Sequence, residues 1–559
     1  MQDKKFKEDP LISFIVPIYD IKPDVLKRCL LSLDDQDYEN IEIVCVLDGP
    51  NDELSKVACG FVDKNSKKFK LIEIEHAGAC AARNAGFRVS NGEIVSFFNS
   101  DYIAQPGMAK LWVDTLLNNP EYGFVYGSYQ YNSSNNSWYP SKKFDPWVLE
   151  VANYIDCGFP LWRKYVVEWD PNCKSLQDWD FWIRVIKEHK VKGFYLPPKD
   201  ISFLAEPPRQ GGLSQDSATN WIDRVSYVKK KNGIPLRDIV VTSIGAPNHG
   251  VEIAKMIGAD YRDDTIYKPW DYKAVYLIGF FMRPDAHSND HPLILSYFKE
   301  KYPKTKRIVH FIGADIYWLR KFPWDALKYL SGALNLSCDY ILCETHQAKK
   351  ELENFGIKAE ILPIPSYSEW EVKEYPKDFS VSVFLTEKSD FDKYCYEHTL
   401  SIIRAMPDIK FTAYGDAAKN LRYPNLELHG NMNREEWEKY VYKSSVLLRL
   451  VRHDTLPMAG YEFIMAGRRV ITNIEMPYAD YISTKGKSEL NEWDSFQEGL
   501  NSFNWPSTKK QIVTKIRDLR KQIHDVGEFI PSQKTISDVY KNILDKDFYI
   551  SKIKEMANA

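Results

Sequence analysis

The sequence lacks the features that mark membrane-spanning, secreted or zinc-bound proteins. None of its apolar runs approaches the ~18 uninterrupted residues that cross a bilayer, and its N-terminus, MQDKKFKEDP, has no apolar signal-peptide core. The nine cysteines are scattered and form no C-x-x-C pair, which predicts reduced thiols and no zinc site. A net charge of −3 provides no basic field for nucleic acid. We therefore expect a cytoplasmic protein with no nucleic-acid partner.

What is present is the composition of an ordinary globular protein, with 44% hydrophobic and 27% charged residues. The length of 559 residues predicts roughly two to four domains. Aromatic residues make up 14% of the chain. Planar amphipathic side chains suit sugar rings and bases, but they also fill cores, so this abundance alone does not decide between the two uses.

The stretch from Ile94 to Tyr102, I-V-S-F-F-N-S-D-Y, organises the first half of the chain. Its first five residues are mostly β-branched or aromatic, which is typical of a buried parallel strand. The run stops abruptly at Asn99, Ser100 and Asp101. Ligands of open α/β sheets bind beyond the carboxyl ends of strands, so these polar residues mark a candidate active-site edge. The alternative is a strand that simply ends in a hydrophilic turn.

Strands alternate with helices on the N-terminal side of this stretch, which predicts a parallel sheet with right-handed crossovers. Pro17 has no N–H to donate and is expected where strand pairing ends. Arg83 lies in a helix of small residues, which permit close packing on a sheet, and it is the obvious anion ligand. The predicted elements are strands at 11–16, 41–47 and 70–74 and helices at 24–34 and 76–86.

Six motifs follow one another over roughly residues 10 to 230. They are V-P-I-Y (16–19), L-D-G-P-N-D (47–52), A-A-R-N-A-G (81–86), F-F-N-S-D (97–101), L-Q-D-W-D-F-W (176–182) and R-Q-G-G-L-S (209–214). Their order resembles the family 2 glycosyltransferases of GT-A fold. This resemblance implies a domain that transfers a sugar from a nucleotide-sugar donor.

The resemblance also implies roles for single residues. Asp101 matches the ligand of a divalent cation, Mn²⁺ or Mg²⁺, which neutralises the leaving diphosphate. Asp178 matches the base that deprotonates the acceptor hydroxyl, and Asp180 is the fallback. The structural alternatives are that Tyr19 lies in a core, Asp48 only shapes a turn and Asp178 only caps its helix. The residues expected to bind the donor are Pro17, Tyr19, Asp48, Arg83, Asn99 and Arg209.

Two positions depart from the family's pattern. The family usually carries an acid where this chain has Asn99, and the first acid of its second acidic motif is Gln177 here. A metal site built on Asp101 then has one negative charge fewer. The outcomes that fit are retained activity, weaker metal binding or a domain kept for binding only. These departures make the first half the better candidate for a domain that has lost activity.

The polar segment K-K-K-N-G-I-P at 229–235 marks a boundary, after which the α/β pattern restarts. Strands are predicted at 239–244, 274–280, 307–312 and 340–343, and in a further lobe at 380–385, 410–414, 426–429 and 445–450. We predict domains at 1–233, 234–366 and 367–545, followed by a tail at 546–559.

The second half resembles the family 4 glycosyltransferases of GT-B fold through H-D-T-L-P-M-A-G-Y-E (453–462) and I-M-A-G-R-R-V-I-T-N (464–473). The resemblance implies that Glu462 binds the donor ribose and that Asp454 faces its sugar, with no metal required. His310 would reach the sugar from the opposite lobe; the alternative is a buried structural histidine. Further positive charge would come from Arg449 and Lys388.

The fold expected from these patterns is α/β, a GT-A domain followed by a GT-B pair of Rossmann-like lobes. The function expected is that of a bifunctional glycosyltransferase, inverting in the first half and retaining in the second. Its donors would be UDP-, GDP- or dTDP-sugars and its acceptor a glycan or lipid-linked glycan of a bacterial surface polysaccharide. The segment 547–556 would lie at the inner face of the membrane or pack on a neighbouring lobe. The alternatives are one active transferase with a degenerate binding domain, and a non-catalytic nucleotide-sugar scaffold.

Overall fold

The computed structural model divides the chain into two compact units, Met1–Arg237 and Asp238–Ala559. All statements below concern the residues that the structure describes. These are 9–132, 138–139, 141–197, 200, 202–206, 221–243, 247–262, 272–279, 299–319, 322–386, 394–415, 421–451, 453–474, 476–482, 505–523 and 543–559.

The first unit is built on a seven-stranded sheet in the order β10-β6-β9-β4-β1-β2-β3. The central strands β4, β1, β2 and β3 are parallel, as predicted, and only β9 runs antiparallel to its neighbours. The strands are β1 (Ile12–Ile18), β2 (Ile41–Asp48), β3 (Phe69–Ile74), β4 (Ile94–Phe97), β6 (Tyr122–Tyr126), β9 (Leu161–Trp162) and β10 (Lys192–Tyr195).

Helices flank this sheet, and their apolar or small faces lie against it. In α3, an added Cβ on Gly86 would lie 2.5 Å from Ile15 Cγ2, so the expected close packing of small residues is confirmed. In α1, the buried face is Leu26, Cys29, Leu30 and Leu33. The helices are α1 (Pro23–Asp34), α2 (Asp52–Lys64), α3 (Ala79–Val89), α4 (Met108–Asn118), α5 (Pro146–Val151), α6 (Gln177–His189) and α7 (Trp221–Lys231), with a 3₁₀ turn at Arg163–Tyr165.

A second, smaller sheet of the first unit was not predicted. It has the order β5-β11-β7-β8 and is held by aromatic stacking, with the Tyr102 and Phe203 rings 4.6 Å apart. Because β5 begins directly after Asp101, this sheet fixes the chain as it leaves the active-site edge. Its strands are β5 (Tyr102–Ala104), β7 (Tyr129–Tyr131), β8 (Trp138–Tyr139) and β11 (Phe203–Ala205).

Strand pairing places the expected polar edge beyond the sheet. The β1–β4 pairing ends at Ile15 and Phe97, so Asn99 and Asp101 follow the carboxyl end of β4. Pro17 lies past the end of this pairing, but β1 stays paired with β2 as far as Ile18. The expectation for Pro17 is therefore confirmed on the β4 side of the strand only.

The second unit contains two six-stranded sheets, in the orders β13-β12-β14-β15-β16-β17 and β20-β19-β18-β21-β22-β23. All of their pairings are parallel. The unit is thus Rossmann-like, as expected. Its strands are β12 (Ile239–Ser243), β13 (Asp260–Tyr261), β14 (Ala274–Ile278), β15 (Lys306–Phe311), β16 (Tyr340–Cys343), β17 (Glu360–Ile361), β18 (Ser380–Phe384), β19 (Lys410–Tyr414), β20 (Leu426–Gly430), β21 (Val446–Arg449), β22 (Arg469–Thr472) and β23 (Asp480–Tyr481).

The last helix, α16, packs on the first of these sheets. It buries Tyr549, Ile553 and Met556, and the Tyr549 hydroxyl lies 2.6 Å from that of Tyr276 in β14. This packing agrees with the alternative of a tail docked on a lobe. The helices are α8 (Pro247–Ile257), α9 (Gly313–Leu319), α10 (Trp324–Ser337), α11 (His346–Asn354), α12 (Tyr396–Ala405), α13 (Arg434–Lys443), α14 (Met458–Met465), α15 (Trp505–Lys521) and α16 (Lys546–Asn558).

None of the helices within the described ranges combines the length and the apolar character that crossing a bilayer requires. All nine cysteines are free thiols.

Candidate active site

Asp48 ends β2 and holds the loop that leads into α3. Its carboxylate is 2% exposed and accepts hydrogen bonds from the backbone N–H groups of Ala77, at 2.7 Å, and Gly78, at 3.0 Å. Gly78 has a φ of +88°, which a residue with a side chain rarely adopts. Asp48 therefore shapes this turn. The Tyr19 side chain is 55% exposed and stacks on His76 with the ring centroids 4.2 Å apart, so it is not part of the core.

Arg83 joins the two positions at which the sequence departs from the acidic pattern. Its Nη1 donates to Gln177 Oε1 at 2.8 Å and its Nη2 to Asn99 Oδ1 at 3.0 Å. The guanidinium lies over the Trp169 ring, 4.5 Å from its centroid, and the side chain is 5% exposed. The buried Arg83 guanidinium thus connects Asn99, which follows β4, to Gln177, which lies 78 positions further along the chain.

Asp178 is the second residue of α6 and is half-buried. Asn153 Nδ2 donates to its Oδ2 at 2.8 Å, and the Trp179 N–H donates to its Oδ1 at 3.0 Å. Burial raises the pKa of Asp178, and the Arg83 guanidinium opposes this rise. A carboxylate whose basicity is raised at the start of a helix suits proton abstraction from a hydroxyl.

Asp180 has the contacts of a structural residue. Its carboxylate is 1% exposed and accepts from Arg184 Nη2 at 2.8 Å, Lys231 Nζ at 2.9 Å and Asn232 Nδ2 at 2.9 Å. These bonds join α6 to the end of α7. The Asp180 oxygens already accept hydrogen bonds from two cations and an amide. Asp178 is therefore the better candidate for a base.

Asp156 is a buried acid that sequence reasoning missed. It is 7% exposed and accepts hydrogen bonds from the Tyr102 hydroxyl at 2.8 Å and the Gly158 N–H at 2.7 Å. Burial and, second, the nearby Asp178 carboxylate raise its pKa to about 7. It lies in an irregular segment between α5 and β9 without a motif, so no pattern in the sequence signals it.

The fit of a divalent cation to this edge depends on Asp101. Within the described part of the chain, no cluster of three or more His, Cys, Asp or Glu side chains could hold a metal ion. The Asn99 side-chain oxygen already accepts a bond from Arg83. Mg²⁺-type sites often use only one or two carboxylates together with substrate phosphates. The residues present therefore offer such an ion one expected carboxylate ligand, that of Asp101.

In the second unit, Glu462 of α14 is 2% exposed and fully engaged. Its Oε1 accepts from Arg434 Nη2 at 2.6 Å and Ser366 Oγ at 3.0 Å, and its Oε2 accepts from Trp437 Nε1 at 2.6 Å. Arg434 was not predicted. It is the first residue of α13, directly after the Asn433 cap. The sequence shows the pattern of a helix start here, but it does not show that Arg434 pairs with Glu462.

Asp454, the other acid of the expected donor site, is also paired with an arginine. Arg449, at the end of β21, donates to Asp454 Oδ2 from Nη2 at 2.5 Å and from Nε at 3.1 Å. Burial alone would lower the pKa of Arg449, but the Asp454 carboxylate raises it, so the guanidinium stays charged. An added Cβ on Gly313 would lie 2.9 Å from Asp454 Oδ1, so only glycine fits here without displacement.

His310 is enclosed within β15 and has no exposed surface. Its Nδ1 lies 2.6 Å from the Tyr276 hydroxyl, and its Nε2 has no hydrogen-bond partner among the described residues. Burial lowers its pKa to about 3. These observations favour the structural alternative for His310 over contact with a sugar.

A second histidine, His453, was missed although it begins the most specific motif of this half. It is 3% exposed, with Nδ1 3.1 Å from the Gly313 carbonyl oxygen and Nε2 2.9 Å from Glu351 Oε2. Next to it, the Thr455 hydroxyl donates to Glu344. These bonds join the segment after β21 to the ends of β15 and β16. Arg209 and Lys388 lie outside the described residues.

Comparisons with known proteins bear on the first unit. Residues 13–182 match the sequence model of "Glycosyl transferase family 2". An uncharacterised glycosyltransferase of Haemophilus influenzae is 28% identical over 232 residues, which cover 40% of this chain and 91% of that protein. The glycosyltransferase GlyA of Streptococcus pneumoniae is 34% identical over 132 residues, 23% of this chain but only 18% of GlyA. The first unit therefore contains a family 2 glycosyltransferase domain.

A solved mannosyltransferase of Pyrobaculum calidifontis, in complex with GDP-Man and Mn²⁺, aligns with 37% of this chain and 59% of its own. The TM-score is 0.29 and the identity 18%, values at which the superposition adds nothing to the assignment.

Proposed function

We propose that the first unit transfers a sugar, with inversion, from a nucleotide-sugar donor to a hydroxyl of a glycan acceptor. The observation that carries this proposal is the cluster at the end of β4, where a buried arginine and a basic carboxylate lie within a family 2 domain. Asp178 would take the proton of the acceptor hydroxyl. Arg83 would attract the diphosphate.

The remaining residues of the edge would bind and orient the donor. Tyr19 offers an exposed ring for stacking on the base. Asp48 and Pro17 would hold the loop and strand end on which the nucleotide lies. Asp101 would hold a Mg²⁺ or Mn²⁺ ion, which when bound neutralises charge on the leaving diphosphate.

Replacement of the base tests this proposal. The full chain is incubated with UDP-, GDP- and dTDP-sugars and candidate glycans, and sugar transfer is measured. We expect Asp178→Asn to lower transfer about 10²–10⁴-fold, the usual contribution of a general base, with donor affinity retained. Asp114→Asn, on the exposed face of α4, makes the same chemical change and should have no effect. Unchanged transfer by Asp178→Asn would refute the assignment.

We propose that the second unit is a second, metal-independent transferase that acts with retention on the same glycan. Its support is the pair of parallel sheets with Asp454 and Glu462 on either side of the start of α14. Glu462→Gln should abolish a transfer that Asp178→Asn leaves intact. If Asp178→Asn alone removes every transfer, the unit is not an independent enzyme.

The alternative of a degenerate binding domain in the second unit is favoured by one observation. Both of its expected donor-binding acids are already neutralised by arginines, Asp454 by Arg449 and Glu462 by Arg434. Under this alternative, nucleotide-sugars would raise the melting temperature of the second unit without turnover, since ligand binding stabilises the folded state by mass action.

A further inference from the structure

Arg83 is a buried cation with no carboxylate at ion-pair distance among the described residues, although the Asp178 carboxylate lies near enough to act on its charge. Its neighbours within bonding distance are two amide oxygens, of Asn99 and Gln177, and the Cys157 thiol at 3.7 Å. None of the ion pairs among the described residues includes Arg83. Its Nε also has no hydrogen-bond partner in that part of the chain.

Such an arrangement is costly unless the charge has a use. Buried charges in proteins are nearly always paired, because the loss of hydration is otherwise not offset. Arginine cannot escape by losing its proton, since its guanidinium stays charged at all ordinary pH values. The amides of Asn99 and Gln177 orient the guanidinium through hydrogen bonds but, unlike carboxylates, do not cancel its charge.

We propose that Asn99 and Gln177 are positioning residues that keep Arg83 out of a direct ion pair, so that it supplies part of the positive charge that a nucleoside diphosphate requires. The first unit then binds the diphosphate without a divalent cation, and a cation at Asp101 adds to this binding rather than creating it. This inference rests on the proposed function of the first unit.

The substitution Asn99→Asp separates the two contributions. The new carboxylate is isosteric, and it would pair with Arg83 while placing a second acid two residues from Asp101. We expect the affinity for the nucleoside diphosphate in EDTA to fall about tenfold or more, the scale of a charge-assisted hydrogen bond. We also expect the affinity for Mn²⁺ alone to rise about tenfold, because hard cations prefer carboxylate oxygen. A purely structural role for Asn99 would not move the two affinities in opposite directions.

The experiment is calorimetric titration of the full chain with uridine, guanosine and thymidine diphosphate in EDTA, and separately with Mn²⁺ alone. Gln177→Glu should weaken nucleotide binding in EDTA in the same direction as Asn99→Asp. The control Asn65→Asp, at the exposed end of α2, changes the net charge equally and should change neither affinity. Binding to the second unit is common to all variants, so the differences from wild type report the first unit.

The outcomes separate the inference from the function on which it rests. If the wild type binds none of the three nucleotides with or without Mn²⁺, the proposed function itself fails. If the wild type binds only with Mn²⁺, or if Asn99→Asp binds as tightly as wild type in EDTA, the inference is overturned and the proposed function stands. Melting curves of each variant show that the folded protein was titrated.

Discussion

The candidate sites of the two units treat buried charge in different ways. In the first unit, Arg83 is bonded to neutral amide oxygens, and the Asp178 carboxylate accepts from the Asn153 amide. In the second unit, each acid of the expected donor site lies against an arginine, with a separation of 2.5 Å for Arg449 and Asp454 and 2.6 Å for Arg434 and Glu462.

The difference concerns where the compensating charge comes from. An ion pair offsets part of its own desolvation, so the candidate site of the second unit compensates its charges internally. The Arg83 guanidinium, which has no direct ion pair among the described residues, gains more from a charged ligand that enters the site. The departures at Asn99 and Gln177 suggested from sequence that the first unit was the compromised one. In the structure both amides bond to Arg83, and the expected donor-binding acids of the second unit are paired with arginines.

The largest expected effect on stability comes from breaking an ion pair of the second unit. Arg449→Met leaves Asp454 buried without its cation and should cost about 3–5 kcal/mol of unfolding free energy. Arg83→Met leaves two amide oxygens without their donor but no directly paired carboxylate, and it should cost less, about 1–3 kcal/mol. Denaturant unfolding of both variants measures the contrast. Equal losses, or a larger loss for Arg83→Met, would contradict the description of the two units as differently paired.

The pH dependence of stability sharpens the contrast through Asp156 in the first unit. Its pKa rises from 3.8 to about 7 on folding. A group whose pKa is raised by folding stabilises the protein at pH values below its pKa in the unfolded chain. This stability is lost as the pH rises through about 7. Asp156→Asn should therefore stabilise the protein by about 2–4 kcal/mol at pH 8 and by almost nothing at pH 4. Melting temperatures at the two pH values test this; the same shift at both would refute it.

The second unit should show the opposite pH dependence through His310, whose pKa falls from 6.5 to about 3. A group whose pKa is lowered by folding stabilises the protein at pH values above its pKa in the unfolded chain. This stability is lost as the pH falls toward about 3. Lowering the pH from 8 to 5 should reduce the free energy of unfolding by about 2 kcal/mol through His310, and His310→Phe should remove this reduction. Hydrogen exchange of the β15 amides reports this locally. If the wild type and the variant lose protection equally on acidification, His310 is not the cause of the loss.

Much of the fold was predictable because buried parallel strands are continuous apolar runs. Elements such as β2 and β15 were therefore located within two residues of their observed ends. The sheet β5-β11-β7-β8 and the antiparallel β9 escaped because strands of two or three residues have no period of their own. They are specified by tertiary contacts such as the stacking of Tyr102 on Phe203.

Site residues that belong to a motif could be predicted from the sequence. Their hydrogen-bonding and ion-pair partners could not. Sequence located Arg83, Asp178 and Glu462, but the side chains that they bond to lie 16 or more positions away. The neutralisation of Glu462 by Arg434 could not be read from either motif. Nor could the enclosure of His310, since the same H-F-I-G segment would fit an exposed strand end.

The most direct test of the contrast is amide hydrogen exchange of the full chain with and without nucleoside diphosphate in EDTA. We expect protection in the first unit, in the segments after β2 and β4 and at the start of α6, which surround the Arg83 guanidinium. Protection confined to the second unit, around α13 and α14, would show that the ion-paired site binds the diphosphate and would contradict the account.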